Sequence, residues 1–122
     1  MHFELPADDL ARASKFYSEV FGWSLTPNPG GASALAGTTP SDEYGRPTEP
    51  GAINGGLATR GGPIGTPVVT LHVDDIDEAL ERIEKAGGKR VQEKSPVGDV
   101  GFVGYFSDTE GSVVGLWQFA AK

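Results

Sequence analysis

Two short stretches of the chain share one rhythm of apolar and polar residues. In the first, Phe3 and Leu5 alternate with His2 and Glu4; in the second, Val69, Leu71 and Val73 alternate with Val68, Thr70 and His72. A period of two predicts a strand with one face against a core. Each strand runs into an acidic pair, Asp8-Asp9 or Asp74-Asp75, and then into apolar residues at helical spacing. The first run, Asp9 to Val20, presents Leu10, Ala13, Phe16, Tyr17 and Val20 and stops at Gly22. The second, Ile76 to Ala86, presents Ile76, Ala79, Leu80, Ile83 and Ala86 and stops at Gly87-Gly88. The aspartates are read as helix caps, Asp75 with Glu78 having capping-box spacing, and the glycines as C-terminal stops. Both helices are amphipathic, so each is expected to lie on one face of a sheet.

Further strands are predicted at Trp23–Thr26, Ser33–Thr38 and Ala52–Thr59, and later at Lys89–Glu93, Phe102–Phe106 and Val113–Phe119. The segment Pro40–Pro50 reads as an exposed loop or lid inside a Pro- and Gly-rich stretch from Pro27 to Gly51. Asp108-Thr109-Glu110-Gly111 is the turn before the last strand; it lacks the further oxygen-bearing positions of a calcium loop. An offset of 66 residues lays Ala7 over Val73, Asp9 over Asp75 and Gly22 over Gly88. The chain is therefore read as a repeat: a module of about residues 1–60, a linker at 61–67 and a second module of about 68–122, each strand, helix, then three strands.

A length of 122 residues holds one ordinary domain, with no room for separate cofactor and substrate domains. The net charge of −7 comes from acids interspersed with bases in both halves, which argues against nucleic-acid phosphates and anionic lipid as partners. No apolar run reaches the length of a membrane span, and the start, MHFELPADD, has no signal region, so a cytoplasmic protein is expected. Without cysteine there is no thiolate nucleophile and no Cys-ligated metal, and any metal chemistry must rest on His and carboxylates. The serines show no His-and-acid arrangement, and no glycine-rich stretch has the spacing of a phosphate loop.

The opening HFELPADDLARASKFYSEVFGW, the central VVTLHVDDIDEALERIEKAGGK and the closing GYFSDTEGSVVGLWQ resemble the vicinal oxygen chelate superfamily of glyoxalase I, extradiol dioxygenases and bleomycin-resistance proteins. The resemblance implies an α+β fold: two βαβββ modules paired into a partly open, eight-stranded barrel-like sheet, with helices outside and a cup inside. His2, Glu4, Thr70 and His72 would then face the cup. Enzymes of this family hold a divalent metal there, with open positions for two neighbouring substrate oxygens. Carried over residue by residue, His2 falls at a ligand position, while the others fall at Val68, Gly115 and the Gly55-Gly56 region, which have no donor side chain. Glu4 shares the face of His2, whereas His72 lies four strand positions, about 13 Å, beyond the family's ligand level.

Three functions follow as expectations. The first is a metal-free protein that binds a small apolar or aromatic molecule, with Tyr105, Trp117 and Phe119 as walls and Glu4, Asn54, Thr70 and His72 as further contacts. Second is a lyase, isomerase or dioxygenase with a rearranged Zn, Fe, Mn or Ni site built on His2, Glu4 and His72. The third is a homodimeric scaffold that binds nothing in its cup. For Gly55-Gly56 a bulge or a close backbone approach is expected rather than ligand contact.

Overall fold

The computed structural model describes residues 1–28, 31–43, 45–61 and 65–121. Residues 62–64 of the expected linker and residue 44 of the expected lid lie outside the described residues. The chain is α+β, with two helices and eight strands among the described residues, and it divides into two units, His2–Pro67 and Val68–Lys122 with Met1.

In the first unit, β1 (His2–Ala7) leads to α1 (Leu10–Phe21), then β2 (Ser24–Pro27), β3 (Ser33–Gly37) and β4 (Gly55–Thr59). The strands lie in the order β2-β3-β4-β1, with β1 parallel to β4 and the other pairs antiparallel. The second unit repeats the plan with β5 (Val68–His72), α2 (Ile76–Lys85), β6 (Lys89–Val97), β7 (Gly101–Ser107) and β8 (Val113–Phe119). Its order is β5-β8-β7-β6, with β5 parallel to β8. Adding the 66-residue offset to the first residues of β1 and α1 gives the first residues of β5 and α2.

Both helices begin as the sequence predicts. Asp9 accepts a hydrogen bond from the Arg12 N–H, Asp75 accepts one from the Glu78 N–H, and Gly22 closes α1 in the left-handed region at φ 73°. Helix α2 sits on a dense core of Ile76, Leu80 and Leu116, backed by Leu71, Val73, Ala79, Ile83, Phe102 and Phe106. Gly104 makes room on β7, because a Cβ there would stand 3.1 Å from Cγ2 of Ile76. Lys94 on β6 shields the rim of this core, its Nζ 4.5 Å from the Phe102 ring centroid and 3.6 Å from Asp77.

The first unit is packed differently. Its buried sheet residues are Ala7, Ala34, Ala36 and Leu57, small side chains for the most part, and the bulk is supplied by aromatics laid over them. The Phe3 ring lies across Gly55, where a Cβ would come within 2.5 Å of it, and is 5.4 Å from the Trp23 ring. Trp23 stacks on Tyr17 of α1 at 4.8 Å and 9°. The glycine pair is therefore a site of close approach, and its register with Phe3 and Glu4 is regular, with no bulge.

Two features depart from expectation. Helix α1 buries no residue, and Phe16 and Val20, expected in its core stripe, are 52% and 56% exposed. The covered stripe is narrower than the apolar arc: Leu10, Ala13 and Tyr17 already cover the sheet, and an apolar residue one position aside points to water. Strand β6 runs past Glu93 to Val97, through register shifts between Arg90 and Gln92 and between Gln92 and Ser95. Pro96 marks an edge strand, where a missing N–H costs no ladder bond. No helix among the described residues is long and apolar enough to cross a membrane.

Candidate functional site

The faces turned away from the helices carry the candidate chemistry. In the first unit His2 and Glu4 point to that side of β1, and Glu4 lies beside Gly56 of β4. The imidazole of His2 is held down to a pKa of about 4, first by burial and then by the neighbouring N-terminal ammonium. It is neutral at physiological pH, the form that accepts a hydrogen bond or binds a metal.

In the second unit the register sets two rows across three strands. Thr70, Gly115 and Tyr105 form one row, and His72, Trp117 and Val103 the next. Thr70 and Tyr105 are buried at 0% and 4% exposure, so this row is a closed floor around the side-chain-free Gly115. The next row is more open, with His72 exposed and Trp117 half-buried. The Phe119 ring meets both edge-to-face, at 5.4 Å from His72 and 5.7 Å from Trp117. Gly101 of β7 holds this arrangement in place, because a Cβ there would come within 2.6 Å of the Trp117 indole. Sequence reasoning passes over Gly101; only the pairing of β7 with β8 connects it to Trp117.

Asn54 is engaged within its own unit. Its Oδ1 accepts from the Thr38 N–H at 2.8 Å, and its Nδ2 donates to Ser41 Oγ at 2.7 Å and to the Gly45 carbonyl at 2.9 Å. The side chain ties together the loop between β3 and β4. Thr48 closes the same loop by donating to the Pro40 carbonyl from both its N–H and its hydroxyl, and the Arg46 side chain pairs with Asp42.

Two grooves lie at the starts of the helices. One, of about 380 Å³, is lined by Pro6, Ala13, Phe16, Tyr17, Arg12 and Arg60, with Asp8 and Asp9 at its edge. The other, of about 330 Å³, lies among His72, Asp74, Asp75, Glu78 and Arg82.

The paired βαβββ units and this distribution of residues place the chain in a known group. A model of the Glyoxalase/Bleomycin resistance protein/Dioxygenase superfamily matches residues 1–116, and the chain belongs to that superfamily. It is 31% identical over 123 residues to CFP32 of Mycobacterium bovis, which carries a provisional glyoxylase name, covering 94% of this chain and 43% of that protein. It is 29% identical over 130 residues to the anthracycline biosynthesis protein DnrV of Streptomyces peucetius, covering 95% and 45%. The chain thus spans less than half the length of these two relatives. Among solved structures, methylmalonyl-CoA epimerase of Streptomyces coelicolor shares the fold, with a TM-score of 0.65 at 17% identity over 98% of this chain and 96% of that one.

Enzymes of the superfamily commonly hold a divalent metal. Among the described residues no three His, Asp or Glu side chains come together to hold one. His2 and Glu4 are two donors on one strand, short of the three protein ligands that an open catalytic site takes. Among the described residues this donor set falls short of such a metal centre.

Proposed function

We propose that the protein binds a flat, apolar or aromatic small molecule on the open face of β5 and β8, with Trp117 and Phe119 as the stacking surface and His72 as the polar contact. The observation that carries this reading is the edge-to-face contact of Phe119 with both His72 and Trp117. It leaves aromatic surface beside one polar group, the composition of a small-molecule site. The buried Thr70 and Tyr105 form the floor beneath it, and Val68 and Gly115 put no donor atom there. The name of DnrV adds a direction: anthracyclines are polycyclic aromatics of the kind such a surface accepts.

Fluorescence titration tests the reading. In a Trp23→Phe variant Trp117 is the sole indole, and an anthracycline or another planar polycycle is expected to quench it saturably with a Kd of about micromolar. Phe119→Ala should weaken that binding about tenfold, the worth of about 1.4 kcal/mol. No saturable quenching across a panel of planar compounds would refute the proposal. So would stoichiometric uptake of Mn²⁺ or Zn²⁺ that is required for ligand binding and lost in His2→Ala, which would restore the metalloenzyme reading.

A further inference from the structure

Asn54 and Gly55 lie side by side at the entry to β4, and the fold holds each in place for its own reason. A Cβ at position 55 would come within 2.5 Å of the Phe3 ring and of the Phe3 carbonyl, so only glycine fits. At position 54 the amide is engaged at both ends: Oδ1 accepts from the Thr38 N–H, and Nδ2 donates to Ser41 Oγ and to the Gly45 carbonyl. The fold therefore demands the dipeptide in which an asparagine is most open to attack by its own backbone. The attacking atom is the backbone nitrogen of the next residue, and a glycine there puts no Cβ in the way. The other asparagine of the chain, Asn28, is followed by Pro29, which has no N–H to give up.

The reaction needs no reagent but water. Gly55 N gives its proton to hydroxide and bonds to Cγ of Asn54. The amide C–N bond of the side chain breaks, the leaving nitrogen takes a proton back from water, and ammonia departs from a closed succinimide ring. Water then opens the ring at either carbonyl, leaving aspartate or iso-aspartate at position 54, and nothing is oxidised or reduced. With the loop between β3 and β4 closed, this sequence is blocked. Cγ reaches Gly55 N only if the side chain swings away from Thr38, Ser41 and Gly45 together, and Gly55 is meanwhile held in register between Phe3 of β1 and Ala36 of β3. Thr48 keeps the same loop shut from further along, through its two bonds to the Pro40 carbonyl. Neither product carries the N–H groups that Asn54 donates, and iso-aspartate adds a carbon to the backbone where Phe3 crosses the strand. An opening of the loop is thereby turned into a lasting covalent change.

We propose that Asn54 is a self-modifying site gated by the loop between β3 and β4, deamidating only while that loop is open. Peptide mapping by mass spectrometry during incubation at mildly alkaline pH tests it, with folded and urea-unfolded chain side by side. The folded chain is expected to deamidate at position 54, at a rate that rises with pH and lies at least about tenfold below that of the unfolded chain. Ser41→Ala removes one acceptor of Nδ2, and Thr48→Val loosens the loop without touching Asn54. Each should speed the folded reaction about three- to tenfold with unchanged circular dichroism. Thr59→Val, which loses a hydroxyl bond to the Ala32 carbonyl outside this loop, should leave the rate unchanged. Equal rates in folded and unfolded chain would overturn the proposal, as would a folded chain that stays intact at position 54 while the unfolded one converts. So would a folded reaction indifferent to Ser41→Ala and Thr48→Val, or one that Thr59→Val speeds as much, which would assign the reaction to global unfolding.

Discussion

The backbone N–H of Ile76 donates a 2.8 Å hydrogen bond to Oε1 of Gln118, a side chain from the last strand, one residue past Trp117. Gln118 points to the helix side of β8 while Trp117 points to the open side, so one strand caps α2 with one residue and offers the stacking surface with the next. Gln118→Ala would leave the Ile76 N–H without its acceptor in a residue closed to solvent, a loss of about 1–3 kcal/mol. Gln118→Glu keeps an acceptor and puts negative charge at a helix N-terminus, and is expected to recover most of that stability. Urea denaturation of the two variants separates these outcomes.

Gly101 admits no side chain. A methyl group there would press on the Trp117 indole and on the backbone carbonyl of Gln118. Gly101→Ala is expected to cost about 1–3 kcal/mol and to shift the emission of Trp117, as over-packing does when a ring must move. Gly98 is the control, because a Cβ there would meet nothing within 4 Å although φ is 52°. Gly98→Ala therefore strains only the backbone and should leave the indole spectrum unchanged.

The buried imidazole of His2 gives stability a pH dependence of definite sign. The unfolded chain takes up this proton near pH 6.5, whereas the folded chain does so only near pH 4. Between those values the unfolded state binds more protons, so this contribution falls on acidification from pH 6.5 and levels off below pH 4. Discounted for the solvent that still reaches the ring, the loss is on the order of 1–2 kcal/mol. The difference in unfolding free energy between wild type and His2→Gln, measured from about pH 7 to about pH 4, should shift by that amount; a flat difference would contradict the buried neutral imidazole.

Asn54 holds the loop between β3 and β4 through contacts from both ends of its amide. Asn54→Ala is expected to destabilise by about 1–2 kcal/mol and to speed proteolysis between Pro40 and Pro50. Asn54→Asp keeps the acceptor for Thr38 but loses the donors to Ser41 and Gly45, so it should lie between wild type and Asn54→Ala in cleavage rate.

The elements are legible in the sequence because local signals agree: alternation in β1 and β5, aspartate caps, glycine stops, and the 66-residue repeat. What stays hidden depends on pairing between distant residues. Gln118 as the cap of Ile76 and Gly101 as the seat of Trp117 emerge only once β7, β8 and α2 are in register. The exposure of Phe16 is hidden for another reason. Periodicity reports a helix's apolar arc but not how much of that arc the sheet covers, and the alanine-lined sheet of the first unit is already covered by Phe3, Tyr17 and Trp23. The loop contacts of Asn54 are hidden as well, because a polar residue beside glycines looks the same in sequence whether it meets a ligand or a loop.

The chain has two tryptophans, and the fold gives one to each βαβββ unit, Trp23 stacked on Tyr17 and Trp117 against Phe119. Each half therefore carries its own reporter of melting. In the single-tryptophan variants Trp23→Phe and Trp117→Phe, superimposable denaturation curves would mean that the duplicated halves fold as one cooperative unit, and separated midpoints that they retain independent stability.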